Sequence, residues 1–156
     1  MIICGIDPGY DRAGYGFVKI VENRCEVLAY GLVSTQKNKS FCERIFELGM
    51  DFEQLFDTYK PDHIFIEKLF MGRNTSTVLQ VAEVRGVLRY LAQKKKTPLS
   101  ELAPTSIKKT VSGYGAADKQ QMIRAITLLL KLPEAPHPDD VADALSIAFC
   151  GYIKLS

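Results

Sequence analysis

The chain has 156 residues, of which 47% are apolar and 24% charged, with a formal net charge of +2. That balance suits a single domain able to bury its own core, and it excludes disordered and low-complexity classes. No apolar stretch is long enough to cross a bilayer and no signal peptide is visible, so the expected location is the cytoplasm.

Residues 1–6 are apolar almost throughout and read as a central strand. Turn signals follow at Pro8-Gly9 and Gly14, and residues 15–21 (YGFVKIV) alternate well enough for a second strand. Asn23-Arg24 punctuates, and residues 25–35 read as a third. Two tight connections in succession predict an antiparallel meander. One residue is out of keeping. Asp7 places a carboxylate at the end of a strand that reads as buried, and a buried charge needs a partner.

Ser40 stands where a helix N-cap belongs, with Glu43 at capping-box spacing. Phe41, Ile45, Leu48, Phe52, Leu55 and Tyr59 then form one face of a helix that packs on the sheet. Pro61-Asp62 ends it, and residues 63–67 (HIFIE) make a short central strand closing on Glu67. A long helix is predicted over 75–95. Gly86 in its interior costs about 1 kcal/mol relative to alanine. A close contact would account for it, either on the sheet or across a dimer interface.

Residues 99–103 read as a strand and 104–111 as a short helix. SGYGAADK is a glycine-bearing loop in which Asp118 caps a helix over 119–131, and PEAPHPDD turns the chain into a last helix over 139–153. This order predicts an α/β domain built around one mixed sheet. The scattered cysteines Cys4, Cys25, Cys42 and Cys150 have no C-x-x-C spacing and read as reduced thiols.

If the strands ending at Asp7 and Glu67 lie side by side and parallel, both carboxylates emerge at one edge of the sheet. That edge is where α/β proteins place their ligand sites. Asp140 and Asp143, three apart, share one face of the last helix, and Asp139 can share it too. Spacing alone therefore selects no single set of four acids. Each also has a plainer role open to it: Asp139 or Asp140 opposing the helix dipole, Glu67 ending a strand, Asp7 bonding its own turn. Four carboxylates converging without cations would repel one another, a conflict that Mg²⁺ resolves through oxygen ligands. A paired metal site could activate water and stabilise both oxygens of a phosphodiester displacement.

Four segments in this order carry a resemblance: GIDPG (5–9), IEKLFMGRNTSTVLQVAEVRGVL (66–88), GYGAADKQQM (113–122) and DVADALSIA (140–148). Over nearly its whole length the chain resembles the RuvC-type Holliday-junction resolvases of the RNase H-like superfamily. Turns similar to GIDPG occur in actin-like ATPases and other RNase H-like proteins, but the actin-like architecture needs a second lobe for which this chain is too short. The resemblance implies one nuclease domain over 1–156. It further implies a five-stranded mixed sheet, a three-strand meander plus parallel strands, with helices on both faces.

The resemblance also implies a catalytic metal site of Asp7, Glu67, Asp140 and Asp143, which favours Asp140 over Asp139. Two Mg²⁺ per site are implied, with Mn²⁺ able to substitute. The implied reaction is paired, symmetric hydrolysis of four-way DNA junctions, leaving 5′-phosphate ends. A homodimer would carry it out, working with the RuvA–RuvB branch-migration complex. Phe70 would stack on bases at the junction centre, a contact worth about 1–3 kcal/mol and tolerant of any base. Of Lys108, Lys109 and Lys119, the resemblance makes Lys108 and Lys119 the better candidates to hold DNA phosphates, whereas the run Lys94 to Lys96 reads as solvated charges.

Overall fold

The computed structural model of the protein describes residues 1–22, 24–69 and 75–156. Strands β1 (Ile2–Asp7), β2 (Arg12–Val21) and β3 (Arg24–Ser34) form the antiparallel meander. β4 (His63–Glu67) pairs with β1 in parallel and β5 (Leu99–Leu102) with β4 in parallel, giving the order β3-β2-β1-β4-β5. Central β1 is apolar because both its faces are covered, and Ile3, Cys4 and Ile6 are fully buried.

Helices α1 (Phe41–Tyr59) and α2 (Thr75–Lys94) cover one face, where Leu48, Phe52 and Leu88 pack with Phe17, Ile64 and Ile66. Helices α3 (Pro104–Ser112), α4 (Lys119–Leu129) and α5 (Asp139–Leu155) cover the other, where Ile126, Leu145 and Ala148 pack with Ile3 and Phe65. Among the described residues, no helix is long and apolar enough to cross a membrane.

The cap signals hold. Ser40 Oγ accepts from the Glu43 N–H while the Glu43 carboxylate accepts from the Ser40 N–H. Asp118 and Gln121 exchange the same pair of bonds at the start of α4. A side-chain N-cap of this kind contributes about 1 kcal/mol.

Several boundaries move. β2 starts at Arg12 rather than at residue 15, because Arg12, Ala13 and Gly14 pair with Ser34, Val33 and Leu32 while Gly14 also faces Asp7. Gly14 is thus a strand residue and not a turn. Residue 103 leaves β5 to become the N-cap of α3, and α4 stops at Leu129 because Lys131 turns left-handed at φ 51°. The close contact expected at Gly86 on the sheet is not there: a Cβ at that position would meet open space. Gly86 lies instead on the outward side of α2, with Leu79 and Tyr90 exposed on the same helix.

The glycines that do govern packing lie under α5. A Cβ on Gly5 would overlap the Ala144 carbonyl oxygen and the Ala148 nitrogen, and one on Gly14 would overlap the Asp140 carbonyl. Without side chains at these positions the α5 backbone rests directly on β1 and β2. Its first two turns are thereby set over the end of β1.

Candidate active site

The pairing of β1 with β4 runs through Ile6 and Ile66, so Asp7 and Glu67 end neighbouring parallel strands at the same edge. α5 brings Asp143 above that edge, and α3 and α4 close the sides with Lys108 and Lys119. Together they enclose a cavity of about 220 Å³ whose apolar lining includes Ile107, Met122 and Ile147.

The three acids raise one another's proton affinity. Burial, then the charges of Asp143, Glu67 and Asp140, push Asp7 up from its ordinary 3.8 to about 7, against a smaller opposing effect of Lys119. Glu67 is pushed up by burial and then by Asp143, while Arg85 and Lys108 oppose the shift. Burial also raises Asp143, and Lys119 opposes it. The cavity is short of positive charge.

The rim is ion-paired. Lys119 Nζ pairs with Asp139 and lies 3.9 Å from Asp143 Oδ2. Its hydrogen bond holds Asp139 below the usual carboxylate range. Arg12 Nε is 2.7 Å from Asp140 Oδ2 and Arg12 Nη2 is 3.4 Å from Asp139 Oδ1. Asp140 Oδ2 is buried, and the Arg12 contact lacks hydrogen-bond alignment. Behind the Pro8-Gly9 turn, Arg44 pairs with Asp11 and donates from Nε to Thr35 Oγ1 over 3.0 Å, which fixes the loop.

Asp7, Glu67, Asp143, Lys108 and Lys119 therefore share one cavity, while Asp140 stands at its rim, near enough to act on Asp7. Lys109 is exposed on the same helix as Lys108, and Phe70 lies outside the described residues. Two further residues have no role implied by the motifs, although Arg85 lies within the 66–88 segment. Arg12 reaches its partners only across 127 residues of chain. Arg85 had a signal available, since it is a charge on the stripe of α2 that also holds Val84 and Leu88.

Among the described residues, no three acidic, histidine or cysteine side chains stand as a ready-made metal cage. The donor set nonetheless fits a hard divalent cation. It offers carboxylate oxygens only, in one cavity where burial first, and then the charge of neighbouring acids, drives Asp7 towards protonation. Mg²⁺ meets that chemistry while keeping part of its water shell.

A family model described as RuvC, crossover junction endodeoxyribonuclease RuvC, matches residues 3–151. The crossover junction endodeoxyribonuclease RuvC of Petrotoga mobilis is 43% identical over 150 residues, covering 96% of this chain and 92% of that protein. Its counterpart in Heliobacterium modesticaldum is also 43% identical, covering 96% of this chain and 93% of that protein. The solved structure of T. thermophilus RuvC in complex with Holliday junction substrate superposes with a TM-score of 0.92 at 26% identity. That match covers 99% of this chain and 94% of the other.

Proposed function

The chain belongs to the RuvC family of crossover junction endodeoxyribonucleases and has its RNase H-like fold, and from that premise we propose that it resolves four-way DNA junctions in recombination and repair. The observation that carries this reading is the gathering of Asp7, Glu67 and Asp143 with Lys108 and Lys119 in one cavity at the strand ends. The reaction proposed is paired, symmetric phosphodiester hydrolysis that leaves 5′-phosphate ends.

Asp7, Glu67 and Asp143 would hold Mg²⁺ from within the cavity and Asp140 from its rim. Two ions per site are proposed, with Mn²⁺ able to replace them. Bound there, the metal would polarise the phosphodiester and lower the pKa of a water. Lys108 and Lys119 place positive charge where a phosphate backbone would enter, and Lys119 lies close enough to Asp143 to offset charge that builds during the reaction. The apolar side chains Ile107, Met122 and Ile147 limit the water around those groups. Phe70 is proposed to stack on bases at the junction centre.

Symmetric cutting asks for two copies of the site. A homodimer is supported by α1 and α2, where Phe46, Met50, Leu79 and Tyr90 are exposed and a Cβ at Gly86 would meet open space. The RuvA–RuvB complex is the proposed partner that delivers the junction.

The test is cleavage of a synthetic four-way junction with Mg²⁺, its products mapped on denaturing gels. Asp7→Asn is expected to slow cutting about 10³-fold, since metal catalysis is worth several kcal/mol. Junction binding should survive the change. Equal cutting in excess chelator would overturn the metal mechanism.

A further inference from the structure

Among the described residues, Arg85 is the only charged residue that is fully buried, with 5% of its surface exposed. Burying a guanidinium is costly unless its donors are matched, and leucine or methionine would fill the same volume without that cost. Its position on the apolar side of α2, beside Val84 and Leu88, therefore asks for a reason.

The contacts supply one. Arg85 Nη1 donates to the main-chain carbonyl of Glu67, and Nη2 pairs with the Glu101 carboxylate on β5. Arg89 Nη2 donates to the same Glu101 oxygen over 2.8 Å, so that carboxylate is held by two guanidinium groups one turn apart. The β1–β4 ladder ends at Ile66, which leaves the Glu67 carbonyl one residue past it. On the β5 side the chain is still tied, because the Lys68 N–H donates to the Leu102 carbonyl over 2.8 Å. Arg85 closes the remaining gap. It also lines, with Asp7, Pro8 and Glu67, a second cavity of about 250 Å³ on the α2 side of the strand ends.

We propose that Arg85 is a positioning residue for the metal site. Anchored by Glu101, its guanidinium holds the Glu67 main chain and so sets where the Glu67 carboxylate stands against Asp7 and Asp143. The three acids repel one another, and a carboxylate at a strand end tied on the β5 side alone would swing away. One fixed backbone carbonyl limits that swing. This inference rests on the metal reading of the carboxylates given above.

The experiment compares wild type, Arg85→Met, Arg85→Lys and Glu101→Gln. Mn²⁺ binding to the free protein is read by electron paramagnetic resonance, junction affinity without metal by gel shift, and folding by thermal melting. The Mg²⁺ concentration for half-maximal cutting is read alongside. Loss of a residue that orients a ligand typically weakens metal affinity about 10-fold or more, which is the change expected of Arg85→Met in both Mn²⁺ binding and Mg²⁺ half-saturation. Junction affinity should stay within about twofold, because no junction contact is removed. Arg85→Lys should restore part of the metal affinity, since one ammonium can serve one of the two acceptors at a time.

Glu101→Gln keeps Arg85 but loosens its anchor, and should shift metal affinity by less than Arg85→Met. It also decides the matter if Arg85→Met fails to fold: a folded Glu101→Gln with wild-type Mn²⁺ affinity overturns the inference. A folded Arg85→Met that binds Mn²⁺ as tightly as wild type overturns it as well, leaving Arg85 as packing alone. A wild type that binds no divalent cation and cuts regardless overturns the metal reading and this inference together. Those two failures are distinguishable by the wild-type binding curve.

Discussion

α5 meets the sheet backbone to backbone over Gly5 and Gly14, whereas α1 and α2 on the opposite face meet it, and each other, through side chains. Between α1 and α2, Gly49 faces Val87, and Lys94 and Lys95 reach Glu53 over 2.9 and 3.2 Å. Such pairs between long exposed side chains contribute little to stability and yield easily. Over Gly5 and Gly14 little can yield, because the nearest α5 atoms there are main chain. The rigid face carries Asp140 and Asp143, and the looser face carries the exposed Phe46, Met50, Leu79 and Tyr90. Chemistry needs groups held to fractions of an ångström, while assembly needs accessible apolar area. The two faces are suited to those separate tasks.

The largest expected effect breaks the rigid face. Gly5→Ala must move α5 off β1, and overpacking costs about 1–3 kcal/mol even where side chains can adjust. With main-chain atoms in the way, the loss in urea denaturation should reach the top of that range or pass it. Junction cutting should fall with it in whatever fraction stays folded. A Gly5→Ala protein with wild-type stability and activity would mean that α5 does not need its close seat.

A second measurement separates the faces by charge. Asp7 keeps its proton up to about pH 7 in the folded protein but loses it near its ordinary 3.8 when unfolded. Between those values the folded state binds more protons, so stability of the metal-free protein should fall as pH rises from about 4 to about 7. Glu67 and Asp143 shift in the same direction. Thermal melts with and without Mg²⁺ test this: added Mg²⁺ should raise Tm more at pH 8 than at pH 5. An equal rise at both would disconnect the carboxylates from the metal.

The smallest effect belongs to the looser face. Gly86→Ala enters open space in an exposed stretch of helix, so it should stabilise the separate chain by about 0.5–1 kcal/mol. If two copies pair through this face, the same change should weaken their association in sedimentation at rising concentration. A variant that is both less stable and equally dimeric would place a tight contact at Gly86 within the chain and remove this face from the interface.

Much of this was legible in the residues. The capping pairs Ser40–Glu43 and Asp118–Gln121 are local, and each forms as its spacing predicts. The strand ends at Asp7 and Glu67 follow from apolar runs that each close on an acid, and the parallel pairing of those strands places both acids at one edge. The start of β2 is not legible because Gly14 carries a turn residue's signature, yet its real constraint is a helix 126 or more positions further on. Arg85 was legible only as a break in an apolar stripe, with nothing to say which carbonyl it would meet.

The sequence by itself determined the helices, the order of strands and helices, and the carboxylate types available, because caps, periodicity and turn residues act over a few positions. Only the tertiary structure decided how those acids are divided. It turned Asp139 to Lys119, set Asp140 against Arg12 at the rim and left Asp143 in the cavity with Asp7 and Glu67. The place of Asp140 depends on Arg12, more than a hundred residues earlier in the chain, and that of Asp143 on how closely one helix can approach two strands. Residue spacing along the chain encodes neither.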